Sequence, residues 1–173
     1  MPAGVTAVVL AAGAASRFGS PKQTLLLPRV LERLGASIVD DVVVVAGAYP
    51  LETGARVVTC ADWKRGPGAS LRCGLAAIDA EAAIVVLADG PNLDPRAVDR
   101  VAEAWRAGAG PVLAATYDGV NRSHPVLLAR SHWEEIPDEG ARALAVTLVS
   151  CDDLTDPGDI DTPEGLRDGD GES

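Results

Sequence analysis

Residues 5–22 read VTAVVLAAGAASRFGSPK, and this stretch decides the fold. Val5, Ala7, Val8, Val9 and Leu10 make a short, nearly continuous apolar run, the pattern of a buried strand. The run passes into LAAGAASRFGSPK (10–22) and then into TLLLPRVLERL (24–34), which has helical apolar spacing in its second half. A basic loop containing glycines therefore sits at the carboxyl end of an N-terminal strand. In open α/β sheets that is where ligands bind.

The loop suits a polyphosphate. Gly13 and Gly19 permit positive φ and close approach of the backbone to a ligand. Successive main-chain N–H groups in such a turn can cradle an anion. Ser16 adds a hydroxyl, and Arg17 and Lys22 add positive charges to a chain whose net charge is -10. Pro21 can open a helix, where its missing N–H costs nothing. Two commoner phosphate motifs are absent. Lys22 is followed by Gln23 rather than Ser or Thr, so there is no Walker A ending, and there is no G-x-G-x-x-G of a dinucleotide fold. By itself the loop is equally readable as a surface turn with chance basic residues.

The 173 residues suit one domain, expected over 1–167, with a polar and disordered tail at 168–173. Hydrophobic residues make up 47% and aromatics 3%, so the core must come from Val, Leu, Ile and Ala. No apolar run reaches the length of a membrane span, and MPAG enters a strand without a basic leader, so a cytoplasmic protein is expected. Its acidity argues against nucleic acid or an anionic membrane as partner. Cys60, Cys73 and Cys151 are odd in number and widely spaced, which fits neither a disulfide framework nor a zinc motif; buried inert thiols are expected.

The loop resembles the signature of the nucleoside-triphosphate transferases, an LAAG followed by serine, arginine, glycine and lysine. Here these are Leu10, Ala11, Ala12, Gly13, Ser16, Arg17, Gly19 and Lys22. Within that superfamily it is most similar to the molybdenum cofactor cytidylyltransferases and their guanylyltransferase relatives. The guanylyl branch reads LAGG, so Ala12 leans towards the cytidylyl branch. The resemblance implies a three-layer α/β/α sandwich with a mostly parallel, mixed sheet of the nucleotide-diphospho-sugar transferase kind. Alternating strands and helices independently suggest an α/β protein.

Further strands are expected at 40–47, 56–59, 82–91, 111–117 and 126–128, with a last long one at AVTLVSC (145–151). Helices are expected to about Gly35, over Ala69–Ile78, over Pro95–Ala107 behind the cap Asp94, and from His132. Ser70 either caps its helix or meets a ligand. GASLRCGL (68–75) resembles the family's second signature, which implies that Ser70, and less directly Arg72, contact the nucleotide's base or ribose. The strand at 82–91 stops on Asp89, at the rim that also carries the Gly13 loop. LADGP resembles the family's L-x-D-x-P motif, which implies that Asp89 binds Mg2+; Gly90 stands where Gln is usual.

Ser-His-Pro-Val-Leu (123–127) resembles an acceptor-side G-H-P-V-L motif and implies a pocket role for His124 rather than a catalytic base. PDEGAR (137–142) resembles G-D-x-G-A-R. Asp138 and Arg142 either face the acceptor or pair with each other on a helix. DTPEGL (161–166) resembles the superfamily's second magnesium motif and implies Asp161, with Asp159 as runner-up, beside Asp89. Two stretches, after Lys22 and near Tyr49, are shorter than the family's pattern.

The reaction implied is transfer of a nucleoside monophosphate, CMP favoured, from a nucleoside triphosphate to a phosphorylated acceptor, molybdopterin first, with release of pyrophosphate. CTP, Mg2+ and a molybdenum enzyme are the implied partners, and Arg17, Lys22 and Asp89 the implied catalytic residues. The alternatives are a sugar or polyol phosphate as acceptor, or a relative that binds nucleotide or cofactor without transfer.

Overall fold

The structure, a computed structural model, describes residues 4–11, 22–47, 53–88 and 90–157; for 22–25 it describes the backbone alone. Seven strands form one sheet: β1 (Val5–Ala11), β2 (Asp41–Ala46), β3 (Arg56–Thr59), β4 (Ala82–Leu87), β5 (Val112–Thr116), β6 (Arg122–Ala129) and β7 (Thr147–Ser150). Their order is β3-β2-β1-β4-β6-β5-β7. All pairs are parallel except the two that β6 makes, with β4 and β5.

Side chains alternate across the sheet, so each apolar strand feeds two cores. On one face Val5, Val9, Ile84 and Leu127 pack against α1 (Lys22–Gly35) through Leu27, Val30 and Leu34, and against α3 (Pro95–Arg106) through Val98 and Val101. On the other face Val8, Val43, Val45 and Val85 meet α2 (Pro67–Ala76) through Leu71 and Leu75. Gly74 lets α2 lie close to the sheet, since a Cβ there would be 2.8 Å from methyls of Val8 and Val45. This is the expected three-layer sandwich with a mostly parallel sheet. Among the described residues no helix is long and apolar enough to cross a membrane.

The strand directions position the site. β1 and β4 run side by side, Leu10 opposite Leu87, and both end at the same rim. β6 runs the other way, so its first residues, Arg122 to His124, lie at that rim too. The β5–β6 ladder steps from Ala114↔Val126 to Ala115↔Ser123, leaving His124 and Pro125 out of register. Pro125 has no N–H to give a ladder, which suits a bulge. Asp94 caps α3 as expected, its carboxylate accepting from the Arg96 N–H at 2.9 Å.

Several expectations need correction. Cys60 and Cys73 are not inert thiols: they form a disulfide, Cα–Cα 5.8 Å, because α2 docks beside the end of β3. Cys151 is free and buried. The strand read over 145–151 is only Thr147–Ser150, a largely exposed edge. The helix from His132 is a 3-10 turn, Arg130–Glu135. DEGARAL holds only a 3-10 turn, Ala141–Ala143, because Gly140 sits at φ 91°.

Candidate active site

A cleft of about 530 Å3 opens at this rim. Its floor is apolar, with Leu10, Leu87 and Val85 from the parallel strands, Val126 from β6 and Leu71 from α2. Its polar side comes from two places: the start of β6, with Arg122, Ser123 and His124, and the segment 139–142, with Glu139 and Arg142. Gly90, the residue after Asp89, also lines it.

The polar groups are held by specific partners. The His124 carbonyl accepts a hydrogen bond from the Tyr117 hydroxyl at 2.7 Å. Burial pushes the Tyr117 phenol above its ordinary pKa, so it remains a donor at neutral pH. Ser123 Oγ donates to the Asp156 carboxylate at 3.3 Å. Asp138 pairs with Arg72, Nη2 to Oδ1 at 2.6 Å, and more distantly with Arg65 at 3.6 Å. The Arg72 hydrogen bond holds the Asp138 carboxyl below its usual range. The pairing of Asp138 with Arg142 is therefore ruled out as an alternative. Arg142 is exposed and its guanidinium has no hydrogen bond or ion pair among the described residues. Arg122 likewise pairs with no carboxylate among them and donates to backbone carbonyls. Burial lowers its pKa, but a guanidinium stays charged at neutral pH. Two arginines thus bring positive charge to the mouth of a cleft in an acidic chain.

Of the residues singled out in the sequence, the cleft brings together Leu10, His124 and Arg142. Ala11 ends β1 with its side chain in the core. Ser70 lies inside α2, 4% exposed, and is not among the residues lining the cleft. It does not cap that helix, because Gly66 holds the cap position. Arg72 serves as the partner of Asp138 and the Ile136 carbonyl. Ala12, Gly13, Ser16, Arg17, Gly19, Asp89, Asp159, Asp161 and the 168–173 tail lie outside the described residues, as does the Lys22 side chain.

Arg122, Glu139 and Asp156 were missed by sequence reasoning, though Arg122 stands two residues before His124 and Glu139 three before Arg142. Among the described residues no group of three or more His, Cys, Asp or Glu side chains could hold a metal. Hard oxygen ligands such as carboxylates suit Mg2+. On either side of Asp89 in the sequence, the Ala88 N–H bonds the Leu10 carbonyl at 3.1 Å and Gly90 lines the cleft.

Comparison with known proteins agrees with this fold. A family model described as the MobA-like NTP transferase domain matches residues 7–149. Nicotine blue oxidoreductase of Paenarthrobacter nicotinovorans is 30% identical over 199 aligned residues, covering 94% of each chain. That alignment has more positions than this chain has residues, so it contains gaps on this chain's side. Among solved structures, Rv0371c of Mycobacterium tuberculosis H37Rv superposes with a TM-score of 0.81 at 25% identity, covering 97% of both chains. Its manganese complex gives a TM-score of 0.76 at 23% identity, covering 95% of this chain and 97% of that one.

Proposed function

Because the chain belongs to the MobA-like NTP transferase family, we propose that its cleft moves a nucleoside monophosphate from a nucleoside triphosphate to a phosphorylated acceptor. CTP is the favoured donor and molybdopterin the favoured acceptor. The observation that carries this reading is one cleft shared by the end of β1, which leads into the Gly13 loop, the residue after Asp89, and the His124 and Arg142 side chains.

In this reading the triphosphate lies along the Gly13 loop, with Arg17 and Lys22 at its β- and γ-phosphates. An acceptor phosphate oxygen, oriented by Arg142 and His124, forms the new bond to the α-phosphorus. The bond from that phosphorus to the bridging oxygen breaks, and pyrophosphate leaves with the electron pair. Such transfer needs alignment and neutralised charge more than a protein nucleophile. Asp89 and Asp161 would hold Mg2+, which supplies positive charge to the phosphate oxygens. The manganese complex of Rv0371c supports a divalent cation in the family. Ser70 is retained as a nucleotide contact on the resemblance alone.

The test is pyrophosphate release with Mg2+ and CTP or GTP, with and without molybdopterin. Acceptor-dependent release with CTP is expected, and Asp89→Ala should abolish it while leaving the circular dichroism spectrum unchanged. Preference for GTP would overturn the inference from Ala12. Full activity in Asp89→Ala would remove the metal assignment. A second reading rests on the oxidoreductase name of the curated relative: the same cleft would carry out an oxidation or reduction instead of a nucleotidyl transfer. Release of no pyrophosphate from CTP or GTP, with or without molybdopterin, would favour it.

A further inference from the structure

We propose that Arg122 and Arg72 are positioning residues that hold the wall 136–144 so that Arg142 faces an acceptor phosphate. This rests on the proposed role of Arg142.

The wall has little structure of its own. Its only regular element is the 3-10 turn Ala141–Ala143, with backbone bonds Gly140 N–H to Pro137 C=O at 3.0 Å, Ala143 to Gly140 at 3.2 Å and Leu144 to Ala141 at 3.0 Å. One short turn of this kind cannot fix a segment unaided. Two guanidinium groups from different elements grip it. From the sheet, Arg122 Nη2 donates to the Ala141 carbonyl at 2.9 Å, and Nη1 to those of Leu144 at 2.6 Å and Arg142 at 3.3 Å. From α2, Arg72 Nη1 donates to the Ile136 carbonyl at 2.7 Å and Nη2 to the Asp138 carboxylate at 2.6 Å. The Gly68 N–H adds a bond to the Asp138 carbonyl at 2.9 Å.

The result is a division of labour between three arginines. Arg72 and Arg122 spend their donors on the wall, and Arg142 keeps its own for the cleft. Its carbonyl is one of those that Arg122 holds, so the grip acts on the residue that carries the free guanidinium. A planar fork of donors can bond several carbonyls at once, whereas a lysine ammonium is a single point on a flexible stem. Arg122→Lys keeps the charge and loses the fork, which separates positioning from electrostatics.

The experiment follows the Arg142 Nε–H signal by NMR while inorganic phosphate is titrated into the intact protein, its Arg122→Lys variant and its Arg72→Lys variant. In the parent protein the signal should shift saturably. Each variant should bind phosphate about tenfold more weakly, and Arg122→Lys should also speed hydrogen exchange at the Leu144 amide. If Arg122→Lys fails to fold, Arg72→Lys carries the test from α2. Coincident binding curves, or no response of Arg142 in the parent, would overturn the inference. The readout does not depend on turnover, so it stands apart from failure of the transferase reading. Where turnover is seen, Arg122→Lys should raise the acceptor KM and leave the CTP KM unchanged. In an Arg142→Met background it should do nothing further. A loss that persists in that background marks a merely structural role and also overturns the proposal.

Discussion

At the scale of single residues, the wall of the cleft depends on a missing side chain as much as on the arginines. Gly68 presses its backbone against Pro137 and Asp138. A Cβ there would fall inside contact distance of the Pro137 carbonyl oxygen and 2.9 Å from the Asp138 carbonyl carbon. Those are main-chain atoms, held by the Gly68–Asp138 hydrogen bond and by Arg72, and they cannot swing aside as a side-chain tip would. Gly66 beside it sits at φ 133°, where L side chains are strained. Gly68→Ala should therefore cost about 1–3 kcal/mol, the usual range for overpacking, despite alanine's better helix propensity. Gly35→Ala, at the end of α1 with nothing within 4 Å of its Cβ, is the control and should be close to neutral. Urea unfolding of both variants checks this. Equal midpoints would show that α2 and the wall separate easily and that the close approach is not a constraint.

At the scale of elements, the disulfide encloses the support of that wall. The loop from Cys60 to Cys73 contains Arg65, Gly66, Gly68 and Arg72, each of which meets the 136–138 backbone or the Asp138 carboxylate. A loop of this length removes about 3 kcal/mol worth of disorder from the unfolded chain. Reduction should thus lower the melting temperature by on the order of 10 °C in a domain of this size. Cys151 is buried, and burial pushes its thiol pKa up, so it should resist alkylation in the native state. Iodoacetamide should then label no cysteine before reduction and two after it, read by mass spectrometry. An unchanged melting temperature once both sulfurs are labelled would deny the disulfide a stabilising role. Its pairing was illegible in the sequence because proximity comes from α2 folding back over β3. Other elements were plain. The apolar runs of β1 and β4 need burial on both faces, and Asp94-Pro95 is a helix start in local chemistry alone. AVTLVSC reads as a long strand because its apolar content does not say which strand ends the sheet, and β7 is a short, exposed edge. His124 and Arg142 were legible through short motifs. Arg122 was not, because its partners are carbonyls about twenty residues further on, which no local pattern announces.

At the scale of the whole molecule, the cleft lies where the parallel strands give way to the reversed β6, and its two sides come from different parts of the chain. The amino-terminal side, the end of β1, leads to the proposed triphosphate contacts. The carboxyl-terminal side, β6 and the 136–144 wall, carries the proposed acceptor contacts. In a chain with a net charge of -10, two anionic ligands cannot rely on overall attraction. Charges beyond about a Debye length are screened at physiological salt, so each ligand must be held by its own local cations. That makes the two affinities separable. Arg142→Met should weaken the acceptor by about tenfold or more, in line with the ~1.5–3 kcal/mol of a charged hydrogen bond, and leave CTP binding unchanged. Lys22→Met should do the reverse. Calorimetric titration of CTP without acceptor, paired with the acceptor KM at saturating CTP, measures both. The outcome that would sink the two-sided site is one in which either variant weakens both ligands by the same factor. The arginine wall and the Gly13 loop would then belong to a single subsite, and the acceptor would have to enter from another part of the rim.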